Sequence, residues 1–510
     1  MNEQTIYSEI ILSKTGIEIP VFKSGKTVDS RYDPVRESSR LLEQIKPETH
    51  FLIITGIASG TLINAVLENR ADIFILAVEK NNSDIEFLNK LSLVKKISNN
   101  KRVCLCSIST LQDKIIELYL PAFYGNLQVI EQRGWITENF DSVEIINSSI
   151  NKAVGIVSAD FSVQSHFGKL WHHNILSNIK SINKTFCCEN FPLEKTAVIL
   201  AAGPTLDSTI QKIKNNKNQY YIIATDTALS ITASYKIIPN AVVSIDGQNI
   251  SNVHFTHSSN QERCDTLFLF DLCANSSAVN YVLQNQGKIF FFTSGHPFSE
   301  YINKHFSLNL PSLFSGAGTV TISAVDFAFK AGFKNIEVIG ADFSYSNGKP
   351  YAKGTYLDRL YNQKANRFLT TQKQFSALEF RTELIKKNTG CTTQILEAYR
   401  TSFEQYLNNN GFDFSKKNDT YKIVSTLKHE LLKFPQANNI TPSKILEELK
   451  QIYKSKNSNT VFNTIFELTE SDVCILPLIS WLRNYDNKDR SDFNYFYNKA
   501  LLIYSGLGGN

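Results

Sequence analysis

SGAGTVTISAVDFAFKAGFKNIEVIGADFSYSNGKPYA, residues 315–352, decides the fold. It opens on a glycine-containing turn, Ser315-Gly316-Ala317-Gly318. A helical pattern follows, with Val320, Ala324, Ala328 and Phe329 on one face and a stop at Gly332. An apolar run then rises from Ile336 to Ile339 and ends in Gly340-Ala341-Asp342. The spacing predicts a loop, helix and strand of an α/β sheet. Both polar ends of the unit are expected at one rim, where open α/β sheets bind ligands.

Upstream, the same grammar repeats from residue 195. KTAVILAAGPTLD reads as a buried strand running into Gly203-Pro204-Thr205 and a helix. YYIIATDTALSIT is strand, Asp226, helix; NAVVSIDGQN is a strand ending in Asp246-Gly247-Gln248. DTLFLFDLCAN and GKIFFFTSGH add strands that end near Asp271 and Ser294. Strand ends carrying aspartates and glycine turns favour a nucleotide-type pocket over plain turn chemistry. The Ser315-Gly316 turn, with Gly318, sits at a helix start, where free N–H groups and the positive dipole end suit a phosphate. Tyr345 and Tyr351 follow Asp342, and tyrosine hydroxyls can stabilise a departing phosphate without metal. Loop packing is the simpler reading of both tyrosines from composition alone.

Earlier still, HFLIITGIASG (50–60), TLINAVLEN and DIFILAVEK read as strand, glycine turn, helix, and a strand ending at Glu79. Only Gly56 and Gly60 are present, so the dinucleotide fingerprint is incomplete and a structural unit without cofactor is favoured. HFGKLWHHNILSNIKSI reads as a solvated or interface helix carrying His166, His172 and His173, and Asn183 to Pro192, with Cys187 and Cys188, as a linker. Beyond about residue 360 the pattern turns helical to the SGLGGN tail, broken at Pro435, Pro442 and Pro477.

With 510 residues, two or three domains are expected. We place them at 1–185 (a smaller α/β Rossmann-like domain), 186–400 (the central α/β domain) and 401–510 (helical). A net charge of +5 over 101 charged residues is too mild to argue for nucleic acid or an anionic membrane. None of the eight cysteines forms a CxxC pair, so no disulfide framework or zinc site is expected. There is no signal-peptide or transmembrane pattern, and a cytoplasmic protein is expected. GxxxxGK[ST] is absent, as are DxD pairs at the strand ends, so neither a P-loop ATPase nor a metal site is expected.

LAAGPTLD, IIATDTALS, AVVSIDGQ and the whole of 315–352 resemble the central domain of the motility-associated factor (Maf) flagellin glycosyltransferases. More distantly they resemble bacterial sialyltransferases that use CMP-sialic acid. SRYDPVRE (30–37) and the GIASG turn are similar to the Maf N-terminal domain. The resemblance implies a Rossmann-like, sialyltransferase-type (GT-A-like) central domain. It also implies inverting, metal-independent transfer of a nonulosonic acid (pseudaminic, legionaminic or sialic type) from a CMP-sugar to Ser or Thr of flagellin. No cofactor is implied beyond the CMP-sugar donor. The nucleotide would lie against Gly203, Pro204, Thr205, Asp226, Gly247 and Gln248, and the phosphate at Ser315, Gly316, Tyr345 and Tyr351. Asp246 and Asp342 complete the implied catalytic set. The sialyltransferases carry a histidine before an ALEF-like helix; here FLTTQKQFS precedes ALEF (377–380) and has none, so Asp246, Asp342 and His296 are the substitute bases. Two other readings stay open. One is a hydroxymethyl-dihydropterin pyrophosphokinase on the same central pattern; the other is a non-catalytic flagellin-binding assembly factor.

Overall fold

A computed structural model of the chain describes residues 4–186, 191–256, 264–316, 318–346, 348–387, 390–417, 420–425, 432, 441–456, 461–486 and 493–505. Residues 187–190 of the expected linker, which include Cys187 and Cys188, Ala317, the expected break at Pro435 and the tail after Ser505 lie outside the described residues.

Contacts gather the chain into two units, 1–169 with 450–510, and 170–449. This differs from the expected segments 1–185, 186–400 and 401–510 for two physical reasons. The contact units divide at 169–170, inside the continuous helix Phe140–Ile179, and not at the expected 185. Residues after 400 supply two strands to the large sheet instead of starting a helical domain.

In the first unit a hairpin, β1 (Tyr7–Leu12) and β2 (Glu18–Phe22), accompanies a parallel sheet. The sheet is β3 (Thr49–Thr55), β4 (Phe74–Glu79), β5 (Val103–Ser107) and β6 (Asn126–Glu131), in the order β5-β4-β3-β6. Continuous burial of Phe51 to Ile54 and Ile73 to Val78 explains their unbroken apolar runs, as both faces of a parallel sheet are covered. The C-terminal helices belong to this unit: buried Arg483 donates to the carbonyls of Ala122 and Phe123 at 2.8 and 2.9 Å.

In the second unit β7 (Thr196–Leu200), β8 (Tyr220–Thr225), β9 (Ala241–Ser244), β10 (Leu267–Asp271), β11 (Lys288–Phe292) and β12 (Asn335–Ile339) are all parallel. The minor pair β13 (Ile385–Lys387) and β14 (Gly390–Thr392) stands apart. An antiparallel hairpin, β15 (Asp413–Lys417) and β16 (Thr420–Val424), closes the edge beside β12. The large sheet runs β11-β10-β9-β8-β7-β12-β16-β15. The chain steps outward from β7 to β11, then returns to β12 on the other flank of β7. Connections from β7 and β12 therefore leave in opposite directions, the reversal of strand order at whose carboxyl edge open α/β sheets bind ligands.

The opening stretch folds as read, with one change. Helix Val320–Lys330 is buried from Thr321 to Phe329, not on one face alone. It lies between the sheet and a second helix, Gln394–Asn409. Its polar side chains are satisfied inside: Asp326 accepts from the Tyr406 hydroxyl at 2.7 Å, the Phe314 N–H at 2.7 Å and Lys330 at 2.8 Å.

Candidate functional site at the carboxyl edge of the large sheet

The ends of β7 and β12 meet directly. The Gly203 N–H donates to the Gly340 carbonyl at 2.8 Å. A Cβ on Gly203 would stand 2.4 Å from that carbonyl oxygen and 2.8 Å from the Asp342 carboxylate. Glycine is needed for this close approach. Asp342, buried, accepts from the Thr205 N–H at 2.7 Å and from the Thr205 hydroxyl. It thereby caps helix Leu206–Asn215 from another strand. Asp342 is thus a clamp on the Gly203-Pro204-Thr205 turn, with both carboxylate oxygens engaged by Thr205.

Asp226 is buried at the end of β8, where it accepts from the Thr227 N–H at 2.6 Å and the Ser244 hydroxyl at 2.7 Å. Asp246, half-buried after β9, accepts from the Gln248 N–H at 2.9 Å and the Ser251 hydroxyl at 2.6 Å. Gly247 is buried: a Cβ there would lie 3.1 Å from Trp171 and 3.1 Å from the Asn174 amide. Asn174 and Asn178, one turn apart, donate to carbonyls of the loops after β9 and β10. Gln248 is exposed.

The segment after Asp342 folds back across this edge. The Ala352 N–H donates to the Ala202 carbonyl at 2.8 Å, and the Ser230 hydroxyl to the Gly354 carbonyl at 2.9 Å. This delivers Tyr351 and Tyr356 to the aspartates. Burial first, then Tyr356, Asp226, Tyr345 and Tyr399, push the Tyr351 hydroxyl far above its ordinary range. Burial, Tyr361, Asp246 and Asp226 raise Tyr356. Both therefore stay protonated, as donors, at any physiological pH. Tyr345 is tied back by a bridge to Cys391, its N–H donating to the Cys391 carbonyl at 2.6 Å.

Ser315 and Gly316 join the site through a residue pair that sequence reading missed. Helix Val320–Lys330 feeds β12 and runs opposite to it, so its first turn faces the edge that holds Asp342. A Cβ on Gly316 (φ +56) would lie 2.7 Å from the Ser402 hydroxyl. Tyr399, one turn before Ser402 on helix Gln394–Asn409, is the last of the groups that raise Tyr351. One helix face thus spans from the serine-glycine turn to the tyrosines. The amides of Gly318 and Thr319 are turned in to the Ser315 carbonyl at 3.0 and 3.2 Å, which takes the Gly318 N–H away from the expected anion.

His254 was also missed. It is buried, its ring 4.8 Å from that of Tyr356, and its Nδ1 has no hydrogen-bond partner among the described residues. Its only sequence signal was an apolar short helix two turns after Asp246. His296 lies elsewhere, after β11, accepting from the Phe298 N–H at 3.2 Å and packing on His172 and Trp171. Burial and His172 hold it well below its ordinary range. His172, expected on a solvated or interface helix, is buried against Phe298. No cluster of three or more His, Cys, Asp or Glu able to hold a metal occurs among the described residues.

The glycine turn of the first unit is filled from within. A Cβ on Gly56 (φ +87) would stand 2.7 Å from the Trp135 ring. Glu79 is buried under the Trp135 indole N–H at 2.8 Å, the Ile57 N–H at 2.6 Å and the Tyr7 hydroxyl at 3.2 Å. The acid that would accept a ribose is used internally.

Residues 172–348 match the family model described as 6-hydroxymethylpterin diphosphokinase MptE-like. The stretch holds every strand of the parallel core and overlaps the motifs that carried the resemblance. Two uncharacterized proteins of Treponema pallidum (strain Nichols) are 42% identical over 141 residues and 37% identical over 139, each match covering 27% of this chain. The matches span 50% and 66% of those relatives' lengths. Among solved structures, a Maf glycosyltransferase from Magnetospirillum magneticum AMB-1 aligns over 99% of this chain and 91% of its own, at 11% identity and a TM-score of 0.48. No helix among the described residues is long and apolar enough to cross a membrane.

Proposed function

We propose that the chain is a metal-independent glycosyltransferase that moves a nonulosonic acid from its CMP-activated form to a Ser or Thr hydroxyl of flagellin, with inversion. The observation that carries this reading is the segment after Asp342, tied by the Ala352 N–H to Ala202 and by the Ser230 hydroxyl to Gly354, which brings Tyr351 and Tyr356 towards Asp226 and Asp246 at the carboxyl ends of β8 and β9. A CMP leaving group departs with a phosphate charge. Phenolic donors that stay protonated can take up that charge without a cation. The nucleoside would lie along Gly203-Pro204-Thr205 and Gln248, and the phosphate between Ser315-Gly316 and Tyr351. The acceptor oxygen attacks the anomeric carbon, the bond to the phosphate oxygen breaks, and the hydroxyl proton passes to a base. We assign that base to Asp246, half-exposed on the tyrosine rim, with His254 behind Tyr356. Release of CMP from a CMP-nonulosonate, rising when flagellin is added, supports the reading; no CMP from pseudaminic, legionaminic and sialic donors overturns it.

A second reading is favoured by the description of the matching family model: a pterin diphosphokinase that uses ATP. Calorimetric binding of magnesium ATP, together with no response to CMP, would select it. A flagellin-binding assembly factor, the non-catalytic reading, would hold flagellin while releasing no CMP.

A further inference from the structure

Residues 349–387 form an arm that leaves the tyrosine rim. It begins where Lys353 and Gly354 are tied to Asp207 and Ser230, and carries helices Tyr356–Lys364 and Thr371–Glu379 before β13. The arm has nine lysines and arginines against three acids. Only Lys387, paired with Glu397, makes an ion pair among the described residues. The two helices hold each other through Tyr361 against Phe375 (4.9 Å, 72°) and the Gln374 amide on the Tyr361 carbonyl at 3.0 Å. Phe375 is the one residue of the two helices that is fully buried. Phe368 and Phe380 stand out at 83% and 71% exposure.

We propose that this arm is a docking surface for an acidic, extended polypeptide, the flanking sequence of the protein acceptor. The inference rests on the glycosyltransferase reading only for the identity of that protein. Charge sets the sign of the partner: Arg367, Lys373, Arg381 and Lys386 are exposed, and unneutralised like charge on a thin arm is a standing cost that an anionic chain relieves. The two exposed rings set its form. They bracket helix Thr371–Glu379, about 13 Å long at ~1.5 Å per residue. An extended chain covers that distance in about four residues at ~3.3 Å each, so two apolar side chains of one peptide can seat on both rings. A bilayer surface is disfavoured because exposed Thr370, Gln372, Lys373 and Ser376 separate Leu369 and Ala377 between the rings, which leaves no continuous apolar face.

The test uses the full chain and a fluorescein-labelled 16-residue peptide of Glu and Ser with two Phe four residues apart, read by anisotropy. Binding is expected, weakening as salt rises, with no binding of the same peptide carrying Lys for Glu. The Arg367→Glu, Arg381→Glu, Lys386→Glu triple variant is expected to lose at least tenfold in affinity with an unchanged circular dichroism spectrum. Equal binding by that variant, no binding by the wild type, or tighter binding to vesicles of phosphatidylglycerol and phosphatidylcholine or to single-stranded DNA of equal charge overturns the proposal. Acceptor-free CMP release is followed on the same samples and is expected to be unchanged by the triple variant. CMP release without peptide binding defeats the arm alone; peptide binding without CMP release defeats the transferase reading and leaves the arm as a peptide-binding surface.

Discussion

Thr205 gives its backbone N–H, at 2.7 Å, and its hydroxyl to the carboxylate of Asp342, so the turn after β7 is held shut by the loop after β12. The pair joins two chain segments 137 residues apart at the one place where the sheet's connections diverge. Thr205→Val keeps the N–H bond and removes the hydroxyl. We expect about 1 kcal/mol of lost stability from the deleted hydrogen bond. Asp342→Ala should cost more, about 2 kcal/mol, because it strips a helix cap and leaves a hydroxyl to find water. Urea denaturation of both variants checks the order.

Gly203→Ala tests the close approach of the strands. The added methyl would meet the Gly340 carbonyl at 2.4 Å, and backbone cannot swing aside as a side chain would. Overpacking of this kind costs about 1–3 kcal/mol. Thermal melting should report a lower midpoint, and donor affinity should fall with it.

Tyr351→Phe separates packing from chemistry. The ring stays, so folding is expected to hold. Loss of the donor hydroxyl should slow CMP release by about 10²-fold, the usual effect of deleting one charge-stabilising donor. A rate within threefold of wild type removes Tyr351 from the leaving-group role.

Glu79 makes stability depend on pH in the first unit. Burial raises its carboxyl from 4.5 to about 7, against the bonds from Ile57, Trp135 and Tyr7 that favour the charged form. The folded chain then holds a proton that the unfolded chain has lost, so this group's stabilisation is complete below pH 4.5 and is lost as pH rises through 7. Glu79→Gln, neutral throughout, should flatten the decline between pH 5 and 8. Chemical denaturation across that range reads it; an unchanged slope would discard the assignment.

Trp135→Ala should empty the crevice over Gly56. Truncating a buried tryptophan costs about 3–5 kcal/mol. Added indole should restore part of the lost melting temperature, because the cavity matches its shape; the same rescue by AMP would instead mean that the crevice is a nucleotide site with a movable plug.

The strands of the parallel core, the turns at Gly203 and Gly316, and the rim aspartates were legible because each is local. Apolar runs such as TAVIL and LFLFD declare buried strands, and glycine marks the turns. Tyr356, Tyr399, Ser402 and His254 carried no such signal. Each is ordinary in its own helix and gains meaning from a partner far along the chain: Tyr356 from His254, Ser402 from Gly316.

The α/β core and the glycine and aspartate turns along its carboxyl edge followed from the sequence alone, since periodicity and turn chemistry act over a few residues. Tertiary structure alone decided which carboxylate is buried as a clamp and which stays half-exposed. Asp342 and Asp246 look alike in sequence, each ending an apolar strand. Only the return of β12 to the flank of β7 places Asp342 on Thr205 and makes it a clamp, while Asp246 stays half-exposed beside the tyrosines. The same return also sets the serine-glycine turn and the tyrosines at a shared edge, a long-range consequence of strand order that no local pattern encodes.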